Sequence, residues 1–154
     1  MKLTIVAVGN KAPSWVKTGY SEYAKRMPRG LSLDLVEIPA PRHHNDPAKF
    51  VQLEGAKMTS HLSPGDWVVA LEEGGPPCTS SALAQKVSDW QMAGQNVTFL
   101  VGGSDGLADI VLNRANERMS LSSLTFPHYV VRVILAEALY RAWSISAGHP
   151  YHRA

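Results

Sequence analysis

The sequence contains a single cysteine, Cys78, among its 154 residues. One cysteine excludes an internal disulfide and any metal site built from several cysteines, and no neighbouring base is present to activate this thiol. No apolar stretch approaches the roughly 20 residues that a membrane span requires. The apolar run after Met1 is too short for the apolar region of a signal peptide. We therefore expect a cytoplasmic protein without a membrane-spanning helix.

Several catalytic motifs are also missing. The sequence has no GxSxG, HExxH or catalytic-cysteine pattern, and VGGSDG at residues 101–106 matches neither GxGxxG nor the Walker phosphate-binding loop. The adjacent His43 and His44 have no carboxylate or further histidine at helical spacing, so a polar loop is a better interpretation than a metal site. We expect neither hydrolytic nor metal-dependent chemistry.

Charge is nearly balanced overall, at +2, but it is unevenly distributed. Residues 1–49 hold eight Lys/Arg against four Asp/Glu, residues 50–110 hold two against seven, and residues 111–154 hold five against two. A solvated surface without a function explains this distribution equally well. If the two termini meet in space, they form a basic face that suits a polyanion.

Apolar segments alternate with segments of helical spacing along the whole chain. The predicted strands cover residues 3–9, 31–38, 66–72, 96–103 and 117–122, and the predicted helices cover about residues 13–27, 48–61, 80–93, 105–116 and 128–147. Gly94 is predicted to end the third helix, and Ser104 or Asp105 to cap the fourth. This alternation is typical of an α/β protein with a parallel sheet flanked by helices, here a single domain over residues 1–154.

Three loops follow predicted strands and are suited to contact a ligand. They are Leu71 to Gly75, Gly102 to Gly106, and Ser122 to Pro127. Ligands bind at the carboxyl ends of the strands in open α/β sheets. Glycines let the backbone approach a ligand closely, and the third loop offers main-chain groups rather than charge. Such loops suit a neutral, adenosine-like ligand.

The last predicted helix is apolar around most of its circumference. One sheet cannot cover such a helix, so a partner subunit is the economical explanation. Glu137 and Arg141 are spaced for an ordinary i, i+4 ion pair, which is a better interpretation than catalysis. His128 and Arg132, at the start of the helix, are plausible anion-binding residues.

Four stretches together resemble one known family over the whole chain. They are VAVG, LVGGSDGL, SLSSLTFPHYVVRVILAEALYRAWSI and PYHR. The resemblance is to the small SPOUT-class methyltransferases that methylate N3 of a pseudouridine in 23S rRNA, with pseudouridine 1915 as the family target. It implies a C-terminal trefoil knot, S-adenosylmethionine as cofactor, no metal, a homodimer formed through the final helices, and action on assembled ribosomes.

The resemblance also implies roles for individual residues. It places the cofactor on the same three loops, at Leu71, Gly102, Gly103, Ser122, Ser123, Leu124, Thr125, Phe126 and Pro127. The tail of one subunit is expected to complete the pocket of the other, with Tyr151, His152 and Arg153 placing the target nucleotide. His152 is the candidate general base, Arg153 a contact to phosphate or base, and His128 a weaker candidate. Alternatively, the tail only packs and holds the dimer.

The resemblance leaves the RNA contact and two other functions open. Basic residues on or around the first helix are candidates for RNA contact: Lys11, Lys17, Lys25, Arg26 and Arg29. One alternative is a knotted enzyme that methylates ribose or tRNA, although such enzymes typically carry RNA-binding segments for which this chain has no room. The other is a catalytically silent, ribosome-associated RNA-binding protein.

Overall fold

The computed structural model describes residues 1–40 and 46–152. His43, His44 and Arg153 lie outside these residues. In the described part of the chain, strands and helices alternate in the order β1 (Lys2–Val8), α1 (Ser14–Ala24), β2 (Ser32–Ile38), α2 (Pro47–Ser60), β3 (Trp67–Leu71), α3 (Ser80–Ala93), β4 (Val97–Val101), α4 (Asp109–Arg114), β5 (Glu117–Met119) and α5 (His128–Ala147).

The strands form one five-stranded sheet in the order β2-β1-β4-β3-β5, and every pairing is parallel. The predicted α/β architecture with a parallel sheet is confirmed. Strand β4 lies at the centre and all five of its residues are buried, as expected for a strand covered on both faces. Because the strands are parallel, their carboxyl ends meet at one edge of the sheet.

Helices cover both faces of the sheet, and alternate residues of β1 show how the two cores are divided. Leu3 and Ile5 face a core shared with α1, α3 and α5, whereas Val6 and Val8 face a core shared with α2 and α4. Among the described residues, no helix is both long and apolar enough to span a lipid bilayer.

The helix ends follow local capping chemistry at α3 but not at α4. Thr79 caps α3 by accepting a hydrogen bond from the Ala82 N–H at 3.1 Å. Gly94 ends the helix in the left-handed region at φ 63°, which confirms the prediction for that residue. The prediction that Ser104 or Asp105 caps the fourth helix is wrong, since α4 begins at Asp109. The intervening residues form a tight turn in which the Gly106 N–H donates to the Gly103 carbonyl at 3.2 Å.

Arg132 fastens the start of α5 to the sheet. Its side chain is only 1% exposed, donates to Glu37 Oε2 at 2.7 Å, and reaches the carbonyls of Val8 and Gly9 at 3.1 and 3.2 Å. These groups lie at the carboxyl ends of β2 and β1. Arg132 is therefore a buried structural residue, and the expectation that it binds an external anion is not met.

Candidate active site

A cavity of about 510 Å³ lies where the carboxyl ends of β3 and β4 and the loop after β5 meet the first turn of α5. Its volume falls within the range of small-molecule sites. Eight of the nine predicted cofactor residues line it: Leu71, Gly102, Gly103, Ser122, Leu124, Thr125, Phe126 and Pro127. Ser123 lies in the same loop but is exposed and is not part of the cavity wall. Three loops that are distant in sequence thus form one concave surface.

Three of the residues that line the cavity after β4 are glycines, Gly102, Gly103 and Gly106. A Cβ atom on Gly102 would lie 2.6 Å from the Gly106 carbonyl oxygen, and one on Gly103 would lie 3.1 Å from Glu54 Oε2. Gly106 has a φ of +84°, in the left-handed region that favours glycine. The turn therefore needs glycine for its own geometry. It also presents main-chain groups to the cavity.

The loop after β5 is tied to the loop after β3. The Ser120 N–H donates to the Pro76 carbonyl at 2.8 Å, and the Ser120 hydroxyl lies 3.2 Å from the Glu73 carbonyl. The Thr125 hydroxyl donates to the Glu73 carboxylate. Hydrogen bonds between the two loops therefore hold two walls of the cavity in a fixed relation.

The cavity is lined by two acidic residues and by no lysine or arginine. Among the described residues that line it, the titratable side chains are Glu72, Glu73 and His128. Burial, reinforced by the Arg132 guanidinium, lowers the pKa of His128, so the imidazole is neutral at neutral pH. A phosphate group finds no lysine or arginine here, whereas a ligand with a positive charge and no phosphate is compatible with this wall. Within the described chain, no cluster of three or more His, Cys, Asp or Glu residues is placed to hold a metal ion.

The C-terminal residues pack along α5 from its middle to its last turns. The Tyr151 hydroxyl donates to Glu137 Oε1 at 3.0 Å, and the Arg141 guanidinium lies over the Tyr151 ring. Burial, with hydrogen bonds to Tyr23 and Glu137, raises the pKa of the Tyr151 phenol. Arg141 and Glu137 form the predicted ion pair at 2.7 Å. Tyr151 is thus held by side chains from two helices.

His152 is held beside Tyr151 by a buried serine. Its Nδ1 lies 2.8 Å from Ser144 Oγ, and its backbone N–H donates to the same oxygen at 3.2 Å. Glu137 and Ser144 lie nine and sixteen residues after His128, which places the groups that hold Tyr151 and His152 about 14 and 24 Å along α5 from the cavity. A single chain therefore does not bring Tyr151 and His152 to the cavity that its own loops form.

The comparisons with known proteins agree with this architecture. A family model described as "Predicted SPOUT methyltransferase" matches residues 1–152. The chain belongs to the SPOUT methyltransferase family. The resemblance inferred from the sequence motifs is confirmed.

Relatives of this SPOUT family member align over nearly their whole length. A protein from Hahella chejuensis named "Ribosomal RNA large subunit methyltransferase H" is 52% identical over 155 residues, with 99% of each chain covered. A protein of the same name from Nitrosomonas eutropha is 46% identical, with 100% of each chain covered. Both chains therefore match this one in length as well as in sequence.

A solved structure supports the fold at much greater sequence distance. It is described as "The structure of a probable methylase family protein from Haemophilus influenzae Rd KW20". It aligns with a TM-score of 0.55 and 13% identity over 99% of this chain and 70% of that chain. At this identity the likeness shows the fold alone.

Sequence reasoning missed three side chains that shape the SPOUT site. Ser120 and Glu73 connect two of the loops, and both lie in or beside segments that the motif search had already selected. Glu54, on α2, is a carboxylate only 8% exposed behind Gly103. Burial raises its pKa, and Asp105 adds to the effect. No sequence signal pointed to Glu54, because a glutamate in an amphipathic helix normally faces solvent.

Proposed function

We propose that this protein is an S-adenosylmethionine-dependent methyltransferase that acts on N3 of a pseudouridine in 23S rRNA. The observation that carries the proposal is the cavity at the carboxyl ends of β3 and β4, lined by glycines and by no lysine or arginine, in a chain of the SPOUT methyltransferase family. The name shared by the full-length relatives supplies the substrate class.

The cavity fits the cofactor by its chemistry. Main-chain groups of Leu71, Gly102 and the loop from Ser122 to Pro127 suit the uncharged adenosine, and Leu121 and Phe126 add apolar surface. The acidic residues Glu72 and Glu73 and a neutral His128 are compatible with a positively charged sulfonium. When bound, the cofactor supplies an activated methyl group.

The remaining task of the protein is to position the acceptor and remove a proton. Methyl transfer to N3 would require the N3 proton to leave, so a residue of the chain must accept it. We assign the proton to His152, because an imidazole nitrogen with a free lone pair can accept it. Tyr151, and Arg153 beyond the described residues, are proposed to hold the target nucleotide.

A second copy of the chain is needed to bring the tail to a cavity. Along α5, the contacts that hold the tail lie about 14 to 24 Å from the cavity of its own chain, so two α5 helices in antiparallel contact would bring each tail near the partner's cavity. Val130 and Ile134 are half-buried residues of α5 that belong to neither hydrophobic core. These apolar side chains support a homodimer formed through α5.

Basic residues near α1 are proposed to contact the RNA. The Lys11 backbone N–H donates to the Tyr129 hydroxyl at 3.0 Å, which puts Lys11 beside the first turn of α5 and near the cavity. Lys25 and Arg26 are both paired with Glu22, so Lys11, Lys17 and Arg29 are the better candidates. A surface of this size suits recognition of the folded shape of an assembled ribosome.

The trefoil knot, the single domain over residues 1–154 and the cytoplasmic location remain parts of the proposal. Support for the knot comes from Ser120, where the chain leaves the sheet edge in contact with the loop after β3. From there it crosses to α5, which packs on α1 and α3. A knot is a rare departure from ordinary chain topology.

The deciding experiment is methyl transfer from labelled S-adenosylmethionine to assembled ribosomes. The full chain is compared with a chain truncated after Pro150. We expect the full chain to label a pseudouridine and the truncated chain to bind cofactor and dimerise without labelling. Equal labelling by both would remove the tail from the active site. If the full chain gave neither calorimetric heat nor a thermal shift with the cofactor, a silent RNA-binding protein would be the better function.

A comparison of substrates tests the assembled ribosome as the target. The full chain is assayed on intact ribosomes and on protein-free rRNA fragments that contain the same pseudouridine. We expect faster labelling of the ribosomes, because shape recognition requires the folded particle. Equal rates would show that base contacts are sufficient.

A further inference from the structure

The Ser144 hydroxyl is fully buried and is surrounded by polar atoms of the tail. Its side chain belongs to a residue with 0% exposure. Ser144 Oγ lies 3.1 Å from the His149 carbonyl oxygen, 3.2 Å from the His152 backbone nitrogen and 2.8 Å from His152 Nδ1. Three contacts meet at one hydroxyl group. The direction of its single hydrogen therefore decides which partner accepts a hydrogen bond and which partners must donate one.

Only one arrangement of hydrogens satisfies all three contacts when His152 is neutral. A hydroxyl has one hydrogen to donate and two lone pairs that accept. The His152 backbone N–H can only donate, and the His149 carbonyl can only accept, so the serine hydrogen goes to His149. The remaining lone pair then faces His152 Nδ1, which must carry a hydrogen to bond with it.

The opposite arrangement loses a contact. If the serine hydrogen pointed to an unprotonated Nδ1, the His149 carbonyl would lie 3.1 Å from an oxygen with no hydrogen to share. Losing this hydrogen bond from a part-buried carbonyl is unfavourable. The geometry therefore favours neutral His152 with its hydrogen on Nδ1 and a lone pair on Nε2.

We propose that Ser144 is a positioning residue that holds His152 as the Nδ1–H tautomer, so that Nε2 is the basic nitrogen presented to the substrate. The inference rests on the proposed function, in which His152 takes the N3 proton. When that proton moves to Nε2, Nδ1 keeps its hydrogen and its contact with Ser144. The contact is thus present before and after the transfer, and no reorganisation of the tail is required.

The neighbouring residue supports the same geometry. Tyr151 is fixed by its hydrogen bond to Glu137 and by an edge-to-face contact with Tyr140, whose ring centroid lies 4.6 Å from that of Tyr151. Tyr151 is fixed, and the backbone N–H of His152 is bound to Ser144. The His152 imidazole can therefore move only by rotation about its own side-chain bonds. Ser144 also restrains that rotation through Nδ1.

The tautomer is directly measurable by nitrogen NMR of the full chain labelled in histidine, without RNA. The His152 signals are assigned by their loss in His152→Gln and read at a pH where this imidazole is neutral. We expect a protonated Nδ1 and an unprotonated Nε2. A wild-type protein with the hydrogen on Nε2 overturns the proposal, and this result requires no variant at Ser144.

Two serine variants test the role of the hydroxyl. In Ser144→Ala we expect the Nδ1–H preference to weaken and turnover to fall about fivefold, the change in tautomer ratio that one ordinary hydrogen bond supports. Cofactor affinity should not change. The matched control is Ser146→Ala on the same helix, whose hydroxyl bonds only the Ala84 and Ala142 carbonyls and which should keep the wild-type tautomer and rate.

The outcomes separate this inference from the function on which it rests. Full turnover in His152→Ala would remove His152 from the chemistry and with it the proposed purpose of the tautomer, whatever the NMR signals show. If His152→Ala is impaired but Ser144→Ala keeps both the wild-type tautomer and the wild-type rate, His152 remains the base and positioning by Ser144 is wrong.

Discussion

The two ends of α5 are built in opposite ways. At its first turn, the cavity depends on the absence of side chains, because Gly102 and Gly103 let the backbone approach other groups closely. At its last turns, the tail depends on the presence of side chains, because Tyr151 and His152 are held by carboxylate, guanidinium and hydroxyl groups. Substitutions that add atoms should therefore impair the cavity, and substitutions that remove atoms or charge should impair the tail.

The largest effect is expected from adding one carbon to the cavity wall. In Gly102→Ala the new Cβ would lie 2.6 Å from the Gly106 carbonyl, so the turn must move. We expect S-adenosylmethionine to bind about a hundredfold more weakly by calorimetry, near the upper end of what overpacking costs. Gly65→Ala is the matched control, because Gly65 is not part of the cavity wall and a Cβ there meets open space. Equal losses in both variants would contradict a specific steric requirement.

A smaller effect is expected from removing a charge at the tail. Glu137→Gln weakens the ion pair with Arg141 and the hydrogen bond from Tyr151. We expect methyl transfer about fivefold slower, the scale of one hydrogen bond, with unchanged cofactor affinity. Glu22→Gln also removes a carboxylate with two basic partners and should leave the rate unchanged. Weaker cofactor binding in Glu137→Gln would show that the two ends of α5 are not independent.

The smallest effect is expected at Glu54 and concerns stability. Burial raises the pKa of Glu54 in the folded protein. Folding therefore favours the protonated carboxyl, and that stability is lost as the pH rises through the raised pKa. Glu54→Gln should raise the Tm at pH 7 by about 2 °C.

The Tm difference between Glu54→Gln and the wild type should disappear in acid. There Glu54 is protonated in both the folded and the unfolded wild-type protein. Glu22 is a control of opposite sign, since hydrogen bonds from Lys25 and Arg26 lower its pKa. Its Gln variant should not gain stability at pH 7. A Glu54→Gln protein that gained as much stability in acid as at pH 7 would contradict the assigned cause.

The same contrast explains what the sequence could predict. Strand periodicity and glycine runs are local signals, and they predicted a parallel sheet and the three loops of the cavity. The predicted start of α4 was wrong because Ser104 and Asp105, despite their capping propensity, belong to the turn between Gly103 and Gly106. The burial of Arg132 depends on Glu37, 95 residues away, and no local pattern contains that partner.

The separation of the tail from its own cavity was equally inaccessible to sequence patterns. It depends on the straight length of α5 and on which residues of the tail fold back onto it. The motif PYHR marked the tail as polar, but the contacts to Ser144 and Glu137 appear only in three dimensions.

The length of α5 also restricts which sequence changes this chain can accept in evolution. Inserting one residue among its 20 residues would turn the tail by about 100° and move it about 1.5 Å away from the cavity end. Either Arg132 would lose register with β1 and β2, or the residues after the insertion would lose register with α3, which Ser146 contacts at Ala84. We therefore expect insertions and deletions among natural variants to fall in the surface loops, while α5 changes by substitution alone.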